Sequence, residues 1–147
     1  MAISVASRKA KGRKLQQLIC EEFSKLVGIK WGSDEAIASR EMGQSGTDIR
    51  LIGDALKIIK LSVECKAQES WSVHSWIDQA KENKLPGTDW ILIAKSKRNK
   101  PIMFMDFEAF LKMFKTVVEE RMNKLNLEKG ECGKAVKPKP SRLVKRK

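Results

Sequence analysis

The sequence predicts an α/β fold, a mixed β-sheet flanked by helices, and three observations predict it. Apolar residues recur at helical spacing in three separate segments, near 7–27, 72–83 and 107–125. Between them lie short runs that alternate apolar with polar residues, or are continuously apolar, as strands are. The resulting order, helix–strands–helix–strands–helix, is that of a layered α/β domain. A chain of 147 residues has room for one core, so residues 1–128 read as one domain.

The first helix covers about 7–27, with Leu15, Leu18, Ile19, Phe23 and Leu26 on one apolar face. A loop and a short strand at Ile37–Met42 fill 28–43. Two strands follow at about 47–53 and 57–67. Gly53-Asp54 lies between them and predicts a hairpin turn near 54–55. Ser70 or Ser72 can cap a helix reaching about Asn83, and Leu85-Pro-Gly breaks it. Trp90–Ala94 is a buried strand, Pro101–Met105 another, and the charged residues 95–100 turn the chain between them. Phe107, Phe110, Leu111, Phe114, Val117 and Val118 predict a last helix to about Leu125. From Lys129 onward the chain is rich in Gly, Pro and Lys. Such a segment cannot bury a face, so 129–147 read as a disordered basic tail.

Period-two alternation sets the chemistry. In the strand at 57–67, Ile59, Leu61, Val63 and Cys65 point to one face, and Lys60, Ser62, Glu64 and Lys66 to the other. Across the expected hairpin Asp48 lies opposite about Ser62, diagonal to Glu64. Gly43 and Gly46 make the approach to Asp48 loop-like. Asp48, Glu64 and Lys66 therefore converge, two carboxylates and an ammonium that suit a divalent cation and a phosphodiester. The alternative on spacing alone is an exposed sheet face with a surface ion pair. A second Glu-x-Lys, Glu82-x-Lys84, ends a helical segment, where residues two apart diverge.

Charge agrees with a polyanionic partner. The net charge is +12. Basic residues gather at the start (Arg8, Lys9, Lys11, Arg13, Lys14) and in the tail, and both sets are expected to hold phosphate backbone. Neither end carries an apolar stretch of membrane length, and the first residues lack a signal-peptide core. Three scattered cysteines, Cys20, Cys65 and Cys132, form no disulfide framework and fit a reducing cytoplasm. A single histidine, His74, argues against a zinc site or a histidine-based nuclease. Of the four tryptophans, Trp76 and Trp90 fit core positions. Trp71 either lines a DNA groove or covers the sheet edge.

Arg40-Glu-Met-Gly-Gln-Ser-Gly-Thr-Asp-Ile, Ser62-Val-Glu-Cys-Lys, Trp76-Ile-Asp-Gln-Ala-Lys and Pro101-Ile-Met-Phe-Met, in that order, resemble the PD-(D/E)xK nuclease superfamily. Within it the chain is most similar to small Holliday-junction-resolvase-like endonucleases of phages and archaea. Lys11-Gly-Arg-Lys-Leu-Gln16 is similar to the start of the phage members. The resemblance covers about 8–115 and implies a restriction-endonuclease-like fold. It also implies a metal-dependent cut leaving a 5′-phosphate and a 3′-hydroxyl, and an acidic residue on the first helix. Gln16 stands near that position. Glu22 falls inside the apolar stripe between Leu18 and Leu26, and Glu21 well to its side, so Glu22, Glu21 and Gln16 are the candidates.

The expected reaction is hydrolysis of a DNA phosphodiester. Asp48 and Glu64 hold Mg2+ (or Mn2+ in its place), and the Cys65 carbonyl is a third oxygen. Lys66 orients the attacking water or neutralises developing charge. Glu22 completes the catalytic set, and Ser45 and Gln79 contact phosphate or support the site. Cutting a two-fold symmetric four-way junction twice needs two active sites, hence a homodimer. The setting is the cytoplasm, that of the host if the chain is phage-encoded. Two alternatives remain: a nicking, restriction-like or exonucleolytic DNase without junction preference, and a non-catalytic basic DNA-binding protein.

Overall fold

The computed structural model describes residues 5–41 and 43–128. Elements run α1 (Val5–Val27), β1 (Ile37–Ser39), β2 (Ile49–Leu51), α2 (Gly53–Ile59), β3 (Leu61–Ala67), α3 (Val73–Glu82), β4 (Asp89–Lys95), β5 (Ile102–Phe104) and α4 (Phe107–Glu128). The expected α/β class is found. β3 and β4 pair in parallel from Leu61↔Asp89 to Ala67↔Lys95, and β5 adds antiparallel to β4. A parallel pair requires a crossover, and α3 supplies it. β1 and β2 form a separate antiparallel pair. The Asp48 N–H ties the start of β2 to β3 by donating to the Val63 carbonyl at 2.9 Å.

Helices lie on both sides of β3 and β4, and strand alternation divides the core in two. Val63, Cys65, Ile91 and Ile93 pack with Leu15, Ile19 and Cys20 of α1 and with Ile37, Ile49 and Leu51. Trp90, Leu92 and Ala94 pack with Trp76 and Ala80 of α3. Trp76 and Trp90 are buried as expected. Trp71 covers the second cluster, with its ring centroid 6.4 Å from Trp76 and 6.2 Å from Phe104.

The expected hairpin at Gly53-Asp54 is not formed. Gly53–Ile59 is a helix, begun by Gly53 at φ +56° and closed by Lys60 in the left-handed conformation, with the Lys60 N–H donating to the Leu56 carbonyl. Ala55, Leu56 and Ile59 face the α1-side core at helical spacing, so Ile59 and Lys60 do not belong to the strand. The strand expected at Ile37–Met42 ends at Ser39.

The first helix is where expected, but its stripe is turned. Leu15, Gln16, Ile19 and Cys20 are buried, whereas Leu26 is 78% exposed. α4 carries its apolar residues at the expected spacing. Its Phe110 and Phe114 rings stack at 5.2 Å, yet Phe107, Leu111 and Leu125 are exposed. The described chain divides into two compact units, one ending at Ala109 and the other beginning at Phe110. The tail 129–147, and Cys132 with it, lies outside the described residues.

Candidate active site

β3 brings Glu64 and Lys66 to the α3 side of the sheet, two residues apart and side by side. The Lys66 ammonium lies 2.8 Å from Glu64 Oε1, and the side chains are only 17% and 3% exposed. The surface-pair alternative is therefore excluded. Two charges withdrawn from water need partners beyond each other, and α3 provides them. Lys66 Nζ donates to Gln79 Oε1 at 2.7 Å, and Asn83 Nδ2 donates to Glu64 Oε2 at 3.3 Å. Gln79 of α3 and its C-cap residue Asn83 are one turn apart, so the end of α3 reads both members of the pair.

Asp48 joins them without a hairpin. Its Oδ2 accepts the Cys65 N–H at 2.7 Å, while its own N–H bonds Val63. Residue 48 thus grips the edge of β3 on both sides of Glu64. Burial raises the Asp48 pKa to about 6, with the nearby Glu64 charge adding to the rise. The Cys65 amide, Lys66 and Arg40 oppose it. Cys65 meets the site through its backbone. Its sulfur belongs to the α1-side core, where burial holds the thiol pKa well above the ordinary value.

The loop before Asp48 is built around Arg40. The Arg40 N–H donates to the Asp48 carbonyl at 2.8 Å, and its guanidinium donates to the Ser45 carbonyl. Gly46 has φ +102°, and a Cβ there would come within 3.1 Å of Arg40 Nη1. Only glycine fits both constraints.

These pieces wall an open cleft of about 690 Å³. Arg8, Lys9 and Gln16 of α1 face Ser45, Asp48, Glu64, Lys66 and Gln79 across it. Gln16 is 3% exposed, and its Oε1 has no hydrogen-bond partner. An orphaned buried acceptor is costly unless a ligand completes it.

The structure thus gathers Asp48, Glu64, Cys65, Lys66, Ser45, Gln79, Arg8 and Lys9. Glu22 is not among them. It is exposed and shares Lys25 with Glu21, at 3.0 and 2.9 Å. The reason is helix phase: the buried positions centre near Ile19 and Gln16, which turns residue 22 toward solvent and leaves Gln16 as the first-helix member. Lys11 and Lys14 line a different groove, and Arg13 is exposed on α1. Arg40, Asn83 and the rim residue Glu82 also belong here and were not anticipated as site residues. The Gln79/Asn83 spacing was readable as a turn of helix, but nothing local marked it as polar-facing.

Among the described residues no three His, Cys, Asp or Glu side chains gather as a metal cluster. The donors available are two carboxylates, the Gln16 amide oxygen and backbone. That set is all oxygen and fits Mg2+, which is often held by one or two carboxylates while substrate and water complete its shell. No described helix is long and apolar enough to cross a membrane. No known family, curated protein or solved structure matches this chain.

Proposed function

We propose that the protein is a Mg2+-dependent DNA endonuclease of the PD-(D/E)xK kind, with a restriction-endonuclease-like core, acting on branched DNA as a homodimer in the cytoplasm. The observation that carries the reading is the buried Glu64–Lys66 pair beside Asp48, opening on a cleft whose other wall bears Arg8 and Lys9. A buried charge pair stabilises a fold poorly compared with apolar packing, and a carboxylate with a raised pKa in a cleft marks a functional site.

Asp48 and Glu64 would hold the ion, with the Gln16 amide oxygen as a further donor in place of Glu22. When bound, Mg2+ polarises the phosphoryl oxygen and eases ionisation of water. Lys66, fixed by Glu64 and Gln79, keeps its ammonium beside the scissile phosphate and stabilises the charge that develops there. Asn83 holds the second Glu64 oxygen in place. Arg8 and Lys9 bind the flanking backbone, and Arg40 fixes the loop that presents Asp48. The junction preference and the dimer rest on the sequence resemblance.

The neutral Gln16, where an acid was expected, favours a second reading, a non-catalytic DNA-binding protein. A panel of four-way junction, flap, nicked and linear DNA, with and without Mg2+, tests both. Metal-dependent cutting favouring the junction is expected. Cutting without preference leaves a general DNase, and binding without cutting removes the enzyme. Asp48→Asn is expected to abolish cutting while retaining DNA binding.

A further inference from the structure

Helix α1 has a second basic flank that the site does not use. A groove of about 310 Å³ runs between it and the carboxyl ends of β3 and β4, lined by Lys11 and Lys14 from α1, Glu69 after β3, and Lys95 and Lys97 at the β4–β5 turn. Its walls include the apolar Leu15, Leu18 and Ala67. Arg98 borders an adjoining cavity together with Lys11 and Lys97. The cations come from two segments distant in sequence, α1 and the β4–β5 turn, which the fold brings together, so they are not one solvated charge run.

Glu69 is the acidic residue of the groove, and it is already engaged. It accepts the Lys97 N–H at 3.0 and 3.3 Å, which fastens the turn to the end of β3, and it lies 3.9 Å from the Lys11 ammonium. Lys95 is turned inward to the Ser96 and Asn99 carbonyls. Among the described residues the ammonium groups of Lys14 and Lys97 have no hydrogen-bond or ion-pair partner. The groove therefore keeps a surplus of positive charge over an apolar floor, which suits a sugar–phosphate chain better than a free anion. It lies at the carboxyl ends of the parallel strands, where α/β sheets take ligands. Ala67 lines both this groove and the catalytic cleft.

We propose that this groove is a second DNA-backbone site, holding phosphates of the flanking duplex through Lys11, Lys14 and Lys97 while the scissile phosphate occupies the cleft. This rests on the reading of the chain as a DNA-cutting enzyme. Contacts of this kind position DNA without reading its sequence, and each one released changes the salt dependence of binding.

The test uses the full chain in EDTA, with affinity for a labelled linear duplex measured at several salt concentrations. The groove variant carries Lys11→Gln, Lys14→Gln and Lys97→Gln. A control variant removes the same charge elsewhere, by Lys25→Gln, Lys30→Gln and Lys57→Gln, each of which pairs with an exposed carboxylate. The log–log salt slope is expected to shrink by ~0.9 per lost contact in the groove variant, and little in the control. Equal shrinkage in both, no change in either, or no duplex binding by the parent overturns the groove. Cleavage by the parent in Mg2+ is scored separately. A parent that binds through the groove but never cuts refutes the nuclease and spares the groove. A parent that cuts while the groove variant keeps the full slope refutes the groove alone.

Discussion

Glu64-x-Lys66 and Glu82-x-Lys84 are the same pattern in two settings, and only one makes a pair. On β3 the two side chains share a face, lie 2.8 Å apart and are buried. At the end of α3 they diverge: Glu82 is exposed on the rim of the cleft, and Lys84 donates to the Thr88 carbonyl at 3.2 Å. The residue types are equal, so the difference lies in the backbone that carries them: β3 puts both on one face, whereas α3 ends at Glu82 and Lys84 lies beyond its C-cap. A two-residue spacing concentrates charge on a strand, and it does not where the chain leaves a helix between the two residues.

The largest expected effect separates the two glutamates. Glu64→Gln should reduce cleavage by more than about 10²-fold, the scale on which transition-state electrostatics act. Glu82→Gln should cost less than about tenfold, because a rim charge acts mainly on encounter. Single-turnover rates on saturating DNA decide it, and comparable losses would erase the distinction.

The lysines extend the contrast to stability. Lys66→Ala leaves Glu64 buried without its counter-charge, a destabilisation of about 3–5 kcal/mol in metal-free protein. Lys84→Ala removes one part-buried bond to the Thr88 carbonyl and should cost only about 1 kcal/mol. Denaturant unfolding in EDTA measures both, and added Mg2+ should recover part of the Lys66→Ala loss by neutralising Glu64.

A smaller effect tests the helix-phase correction. Gln16→Ala removes the unpartnered amide oxygen in the wall of the cleft and should weaken Mg2+ binding, while Glu22→Gln should leave it unchanged. Gln16→Glu should tighten it, since ligand charge raises affinity for a hard cation. Titration calorimetry with Mg2+ reads all three, and a loss in Glu22→Gln alone would give the first-helix role to Glu22.

The mildest effect follows from Asp48, whose folded pKa is about 6 against an ordinary 3.8. Between those values the folded metal-free chain holds a proton that the unfolded chain has released. Stability in EDTA should therefore fall as pH rises through that window. Mg2+ affinity should rise across the same window as Asp48 ionises. Asp48→Asn should flatten both profiles.

The strand-borne part of the site was legible because alternation is short-range: Glu64 and Lys66 side by side on one face follow from spacing, whereas the expected place of Asp48 leaned on the turn. The turn was not legible. Asp54-Ala-Leu-Lys-Ile-Ile is too short to display a helical period, and its paired isoleucines favour a strand. The convergence survived that error because Asp48 meets β3 through its own N–H and carboxylate, with no need of a hairpin. Helix phase failed for a related reason. Leu18 and Leu26 suggested a stripe centred too far round, although the apolar Leu15, Ile19, Cys20 and Phe23 define one that includes Gln16 and leaves out Glu22. Asn83 and Arg40 depend on contacts between distant segments, which no local pattern encodes.

Cys65 stands between Glu64 and Lys66, its amide bonded to Asp48 and its side chain buried in the opposite core. A thiol held so far from ionisation is inert to alkylating reagents until the strand opens. Its labelling rate is consequently a clock for local unfolding at the centre of the site. Peptide mapping would separate it from Cys20, whose thiol is also raised, to about 11. A ligand that bridges Asp48 and Glu64 should slow that clock whether or not any bond is cut, so occupancy of the site becomes measurable without a cleavage assay.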